Sequence, residues 1–95
     1  MNKNYLIVRK SDLINSEIDN EIVMLSIENG KYYGLNEIGS YIWKVLEIPH
    51  TLNDLCKHLM EHFIVSREQC EQEVLVFIDS LKVNNLIQVI QDEKS

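Results

Sequence analysis

The dipeptide Asn29-Gly30 is the strongest local structural signal in this chain. It follows residues 21–28 (EIVMLSIE), where apolar side chains alternate with a period of two, as in a strand with one strongly buried face. One face carries Val23, Leu25 and Ile27, and the other carries Ile22, Met24, Ser26 and Glu28. Because Asn and Gly tolerate the positive φ angles of a two-residue type I′ turn, the dipeptide predicts a β-hairpin. The returning strand, residues 31–35 (KYYGL), is short.

The residues before this hairpin predict one further strand. Residues 5–10 (YLIVRK) are apolar and β-branched, and the polar residues 11–20 (SDLINSEIDN) predict a connection rich in turn formers. If the first strand pairs with the second in a meander, the second strand is central and the third, residues 31–35, is an edge strand. That edge carries one charge, two tyrosines and no proline, whereas proteins usually protect an edge. An open edge beside a helix suits recognition of an extended peptide by strand addition.

Three helices are predicted after the hairpin, each with a capping residue. Asn36 is the N-cap of a helix over residues 37–47 that Pro49 ends. Thr51 with Asp54 opens a second helix, which ends near Phe63, and Ser66 with Gln69 opens a third and longest one. The stripe of the third helix holds Cys70, Val74, Phe77 and Leu81, and Asn84-Asn85 predict a left-handed end. The order β-β-β-α-α-α predicts an α+β fold, with LIQVI (86–90) as a short final strand or a packed tail.

Length and charge limit the classes of function. With 95 residues the chain is one small domain, 1–95, in which we expect residues 1–4 and 91–95 to fray. The formal charge of −6 and the absence of Lys/Arg blocks disfavour a nucleic-acid partner. No apolar run is long enough to span a membrane and no secretion signal is visible, so a cytoplasmic location is expected. Cys56 and Cys70 are interpreted as buried thiols, and no cofactor motif is present. Trp43 is assigned to the core, with a partner surface as the alternative, because tryptophan is buried on average but also common at interfaces.

Beyond these local signals, the order and spacing of thirteen positions resemble a known family. They lie in NGKYYGLNEIGSYIWKVLE, TLNDLCKHLMEHFIVS and QEVLVFIDSLKVNNLI, and comprise Gly30, Tyr33, Leu35, Asn36, Ile42, Trp43, Leu52, Leu55, Val74, Phe77, Ile78, Leu81 and Leu86. This pattern resembles the PqqD-like family, the leader-recognition elements of ribosomally made and modified peptides (RiPP recognition elements). Glu73 stands where the family usually has Asp, and Asn85 where it often has Gly.

The resemblance implies a winged helix-turn-helix-like fold, a three-stranded antiparallel sheet followed by three helices. It also implies a non-catalytic protein that binds a precursor leader peptide by strand addition to the third strand and against the third helix. A chain of this length is most similar to the separate leader-binding proteins of lasso peptide clusters, which deliver the precursor to a cysteine protease. Stand-alone members also serve quinone cofactor biosynthesis and radical-enzyme peptide modification, and the residues leave these pathways open.

Two groups of residues are candidates for the peptide site. The first is the edge strand with Lys31, Tyr32, Tyr33, Gly34 and Leu35, where either tyrosine can shape the groove because successive side chains alternate. The second is a stripe on the third helix with Glu73, Val76, Phe77, Ser80 and Asn84. Phe77 fits the core equally well.

Two other functions are compatible with the pattern. A winged-helix DNA-binding regulator has the same helix order, although the third helix is acidic. A small metallohydrolase would use His58, Glu61 and His62, which follow the H-x-x-E-H order, with Cys56 nearby. Without a third ligand, we interpret the histidines as solvent-facing residues of a helix and expect no metal.

Overall fold

A computed structural model of the chain describes residues 5–91. The expectation of fraying at residues 1–4 and 92–95 lies outside that range, whereas Gln91, which was also expected to fray, pairs with Tyr5 in a strand. The elements are, in order, β1 (Tyr5–Arg9), β2 (Leu13–Ile18), β3 (Glu21–Ser26), β4 (Tyr32–Gly34), α1 (Glu37–Val45), β5 (His50–Thr51), α2 (Leu52–His62), α3 (Arg67–Val83) and β6 (Ile87–Gln91). The fold is α+β, as predicted, and the described residues form three helices and two three-stranded antiparallel sheets, one more sheet than expected.

The strands form two separate antiparallel sheets, in the orders β5-β1-β6 and β2-β3-β4. The predicted meander between the first strand and residues 21–28 is therefore wrong, because β1 pairs along its whole length with β6. Strand β2 occupies the place beside β3, since a two-residue turn closes a loop at the smallest entropic cost. The predicted third strand is β4, and it is an edge strand, as expected.

The predicted polar connection 11–20 contains strand β2, which the sequence pattern did not indicate. Its side chains are almost all exposed, so it lacks the apolar alternation by which a strand is recognised. The turn after it places both Asp19 (φ 52°) and Asn20 (φ 68°) in the left-handed region. The two-residue turn with two positive φ angles therefore lies at Asp19-Asn20.

The Asn29-Gly30 hairpin exists, but the prediction of a type I′ turn there is wrong. Only Gly30 has a positive φ (70°), and four residues, 27–30, form the loop. The Ser26 carbonyl accepts the Gly30 N–H at 2.8 Å, and the Ser26 N–H donates to the Lys31 carbonyl at 2.9 Å. The Asn29 side chain accepts the Lys31 N–H at 3.0 Å, a bond that stabilises a longer loop.

The three predicted N-caps are confirmed, whereas α1 ends at Val45, two residues before its predicted end. Asn36, Thr51 and Ser66 are the N-caps, and each side chain accepts a backbone N–H three residues further on. Helix α3 ends with Asn85 at φ 63°, and the Leu86 N–H donates to the Leu81 carbonyl at 2.9 Å, as in a Schellman motif. After this turn the tail forms β6 rather than packing without structure.

The core lies between the helices and the two sheets. On β3 the buried face is that of Ile22, Met24 and Ser26. The interpretations of Trp43, Cys56 and Cys70 as core residues are confirmed, and both thiols are free. Within residues 5–91, no helix combines the length and apolar character that crossing a membrane requires.

Candidate functional site: the β4 edge and the groove between α1 and α3

The backbone of β4 has an open side. Strand β4 pairs with β3 at Leu25–Tyr32, Met24–Tyr33 and Val23–Gly34. The Leu35 N–H donates to the Ile22 carbonyl, and the Ser26 N–H donates to the Lys31 carbonyl. Because hydrogen-bonded and non-bonded pairs alternate in an antiparallel ladder, the backbone groups of Tyr33 face β3 and those of Tyr32 and Gly34 face away. Within residues 5–91, these two N–H and two C=O groups are available to an incoming strand.

The two tyrosines of β4 have different roles. Tyr33 shares the inner face with Met24, packs against the core and accepts a hydrogen bond from Asn29 Nδ2 at 3.0 Å. Tyr32 lies on the outer face of the sheet and is 73% exposed. Alternation along the strand therefore makes Tyr33 part of the scaffold and Tyr32 the accessible side chain.

Ser40 connects the ladder to helix α1. Its buried hydroxyl accepts the Ile22 N–H at 2.8 Å and donates to the Leu35 carbonyl at 3.3 Å. The hydroxyl thus stands between two backbone groups that would bond to each other if the β3–β4 ladder continued. It fixes the start of α1 against the end of β4. The sequence signal for this role is a serine one turn into a helix whose neighbouring positions are apolar.

A groove of about 690 Å³ lies between α1 and α3. Its apolar lining comprises Ile38, Ile42, Leu59, Val74, Val76 and Phe77, and its polar lining comprises Asn36, Gln72, Glu73 and Ser80. Asn36 is the N-cap of α1 and lies in the short connection that follows β4. The groove therefore begins beside the open edge. A mostly apolar lining with a few polar groups is typical of a binding site, here one that can receive the side chains of a bound peptide.

Four of the five predicted α3 residues come together in this groove, namely Glu73, Val76, Phe77 and Ser80. Asn84 is not among the lining residues; it is the C-cap of α3, and its side chain donates to the Ser80 carbonyl at 2.9 Å. Lys31, Tyr32, Tyr33, Gly34 and Leu35 form the neighbouring edge rather than the groove wall. The peptide-binding role of these residues stays a prediction.

Phe77 belongs partly to the core and partly to the groove, because it is half-buried and packs over Gly39. A Cβ added to Gly39 would lie 3.1 Å from Phe77 Cε1 and 3.2 Å from Asn36 Oδ1. Gly39 therefore allows the Phe77 ring to lie against α1. Its signal in the sequence is a glycine inside an otherwise good helix, which indicates a close approach.

Glu73 is the charged residue of the groove lining. Its carboxylate accepts a hydrogen bond from Gln69 Nε2 at 3.2 Å, one turn earlier on α3. Other acidic residues on α3 are Glu68, Glu71 and Asp79, and the Arg67 guanidinium donates to Glu71 at 2.8 Å. This distribution of charge repels a phosphate backbone and disfavours the DNA-binding alternative.

The histidines of α2 contact different partners. The His62 Nδ1 is 2.8 Å from the Tyr41 hydroxyl, and the His58 ring packs against His50 at a centroid distance of 5.3 Å. Among residues 5–91, no group of three or more His, Cys, Asp and Glu side chains is arranged to hold a metal ion. Burial, with a hydrogen bond to Cys70, raises the pKa of the Cys56 thiol to about 12, so this thiol is a poor nucleophile.

Trp43, a residue of α1, is 1% exposed and belongs to the core. The Arg9 guanidinium lies 4.5 Å from the centre of its ring and donates to its carbonyl at 3.3 Å. These contacts join β1 to α1, so Trp43 has a structural role rather than a place in the groove.

Comparison with known proteins agrees with this architecture. A model of the family described as coenzyme PQQ synthesis protein D (PqqD) matches residues 21–87. The solved structure of TbiB1 in complex with the TbiA(beta) leader peptide is similar, with a TM-score of 0.80 and 26% sequence identity. That match covers 85% of this chain and 94% of TbiB1.

The structure of a lasso peptide synthetase B1 complexed with the leader peptide shares the fold, with a TM-score of 0.74 and 23% identity. It covers 86% of this chain and 96% of that one. No curated protein matches the chain. Since the family model matches more than half of its length and begins with strand β3, this chain belongs to the PqqD family.

Proposed function

We propose that this protein is a non-catalytic carrier that binds the leader of a ribosomally made precursor peptide and delivers it to a processing or modifying enzyme. The single observation that carries the proposal is the open β4 edge, where the backbone groups of Tyr32 and Gly34 face away from β3. The solved relatives, which are complexes with leader peptides, support the same partner for this chain.

Binding begins with backbone pairing. Each of the two N–H and two C=O groups of β4 contributes about 0.5 to 1.5 kcal/mol net when a leader strand pairs with it. This part of the affinity depends little on the leader's sequence. Specificity requires side chains that enter the groove between α1 and α3.

The groove supplies that specificity. Alternate side chains of an added strand point to the same side as Tyr33, which is the side of α1 and α3. There they meet the apolar surface of Val76 and Phe77, and fully burying one aliphatic or aromatic side chain contributes about 1.5 to 3 kcal/mol. Ordering a flexible leader opposes these gains, which suits a carrier that must release its cargo.

A lasso peptide pathway is the pathway we favour, with a cysteine protease that removes the leader as the partner enzyme. The two solved relatives are both leader-bound proteins, and one is named as a lasso peptide synthetase component. Peptide modification by other enzymes is the alternative.

The decisive experiment compares Gly34→Pro with Gly34→Ala. Proline removes the outward N–H and places its ring where the leader would lie, yet it breaks no bond to β3. Alanine keeps the N–H, and its Cβ would have no atom within 4 Å. Binding is measured by fluorescence anisotropy with a labelled leader of a candidate lasso precursor peptide, and folding by circular dichroism.

We expect Gly34→Ala to bind like the natural protein and Gly34→Pro to lose at least about tenfold in affinity. A folded Gly34→Pro protein with full affinity would contradict strand addition at β4. If the natural protein does not bind a verified leader, the carrier function itself is wrong.

A further inference from the structure

A hydrogen bond joins the hairpin loop before β4 to the end of helix α3. The Nδ2 of Asn85 donates to the Glu28 carboxylate at 2.9 Å, although 57 residues separate the two positions along the chain. Glu28 lies in the loop 27–30, and Asn85 directly follows the C-cap of α3. Both residues are exposed, and water would satisfy either group if the bond were absent. The bond therefore matters through the elements that it connects.

These two elements are the walls of the proposed leader site. Strand β4 supplies the open edge, and α3 supplies one side of the groove. Strand β4 packs on β3, whereas α3 packs mainly on α2 and β6, so each wall belongs to a different part of the fold. Ser40 fixes the site at the end of β4 that leads to α1. The Glu28–Asn85 bond joins the walls at the opposite end of β4, next to the hairpin loop.

Both ends of this bond are attached to turns that are themselves held. In the hairpin loop, the Asn29 side chain accepts the Lys31 N–H at 3.0 Å. At the helix end, Asn85 has a φ of 63°, and its N–H donates to the Lys82 carbonyl at 3.1 Å. A bond between two fixed turns restrains the strand and the helix that they adjoin, and not only the two side chains.

We propose that Glu28 and Asn85 are positioning residues for the leader, and that their hydrogen bond holds β4 and α3 at the separation that an added strand requires. This inference rests on the proposed carrier function and names residues that fix the geometry of its site. A site that already has its bound geometry loses less conformational freedom on binding, and this raises the affinity. The PqqD-like pattern often has Gly at the position of Asn85, and glycine has no side chain to make the bond. The bond is therefore a feature of this chain rather than of the family pattern.

The test breaks the bond and then rebuilds it with the opposite polarity. Asn85→Gly keeps the positive φ and removes the donor, whereas Asn85→Asp places a second carboxylate against Glu28. Combining Asn85→Asp with Glu28→Gln restores the natural net charge and lets the new amide donate to the new carboxylate. Leader binding is measured by fluorescence anisotropy with a labelled leader of a candidate lasso precursor peptide. Circular dichroism verifies that each variant is folded at the temperature of the binding measurement.

Glu28→Ala and Glu21→Ala separate the bond from the charge. Each removes one negative charge from an exposed position of the hairpin, but Glu21 begins β3, at the end away from the loop. A difference between these two variants therefore reports the hydrogen bond and not the net charge of the protein.

We expect Asn85→Gly and Glu28→Ala to bind the leader about three- to tenfold more weakly than the natural protein, the range that corresponds to one hydrogen bond. Asn85→Asp should lose at least as much, because two neighbouring carboxylates repel each other. The double variant with the reversed pair and Glu21→Ala should both bind within about twofold of the natural protein.

Unchanged affinity in Asn85→Gly and Glu28→Ala would overturn the proposal. A loss in Glu28→Ala without one in Asn85→Gly would also overturn it, because Glu28 would then contact the leader directly. The same conclusion follows if the reversed pair does not restore the affinity that Asn85→Asp loses. Lack of binding between the natural protein and a verified leader would instead refute the carrier function, so the two failures are distinguishable.

Discussion

The hydroxyl of Ser40 lies 2.8 Å from the backbone nitrogen of Ile22, in the place where the next strand carbonyl would be. One side chain thus ends the β3–β4 ladder, satisfies the Leu35 carbonyl and holds helix α1 beside the edge that we propose as the leader site. The groove and the edge keep a fixed relation because this hydroxyl of α1 is hydrogen-bonded to the backbone of Ile22 in β3 and of Leu35 after β4.

Replacing Ser40 with alanine should destabilise the protein by about 1 to 3 kcal/mol, since it removes the partner of the buried Ile22 N–H and of the partly buried Leu35 carbonyl. The measurement is urea unfolding followed by circular dichroism. Ser80→Ala, at an exposed position on α3, is the control and should change the free energy of unfolding by less than about 0.5 kcal/mol. Equal effects of the two substitutions would show that the Ser40 bridge contributes nothing.

Gly39→Ala should separate stability from binding. The new Cβ, 3.1 Å from Phe77 Cε1, moves the half-buried ring toward the groove. Alanine favours the helix over glycine by about 1 kcal/mol, and this gain offsets the cost of moving the ring. The free energy of unfolding should therefore change little. Leader affinity, measured by anisotropy, should fall at least about fivefold because the ring narrows the groove. Full affinity in this variant would place the leader's side chains away from Phe77.

Stability should depend on pH through Cys56, whose pKa is raised from 9.0 to about 12 mainly by burial. Above pH 9 the unfolded chain loses this proton while the folded protein keeps it. The free energy of unfolding should therefore fall as pH rises from about 9 toward 12. Urea unfolding at several alkaline pH values should show a shallower decline for Cys56→Ala. Identical slopes would mean that the thiol is not protected in the folded protein.

Local signals in the sequence were sufficient for the helices but not for the pairing of the strands. The caps at Asn36, Thr51 and Ser66 bond to neighbouring backbone groups, so a short stretch of sequence is enough to predict where each helix begins. The pairing of β1 with β6 joins residues at opposite ends of the chain, and only packing decides it. The sequence pattern did not indicate strand β2, because its side chains are almost all exposed and show no apolar alternation. Its turn at Asp19-Asn20 is also a weaker hairpin signal than Asn29-Gly30.

The candidate site, too, was predictable only in part from the sequence. The α3 stripe of Glu73, Val76, Phe77 and Ser80 follows from helical spacing, and the β4 edge follows from the hairpin. The family resemblance indicated both. The roles of Ser40 and Gly39 depend on contacts with β3 and α3, which lie far away in sequence, and spacing along one helix does not reveal them.

The pairing of Tyr5 with Gln91 brings the two ends of the described chain together in the sheet β5-β1-β6, which is not the sheet that contains β4. An affinity tag, a fluorophore or a tether to a sensor surface can therefore be attached at either end without covering the β4 edge. For the same reason, a flexible linker that joins the two ends, with new ends opened at an exposed turn such as Asp19-Asn20, is a practical design for a permuted leader-capture module.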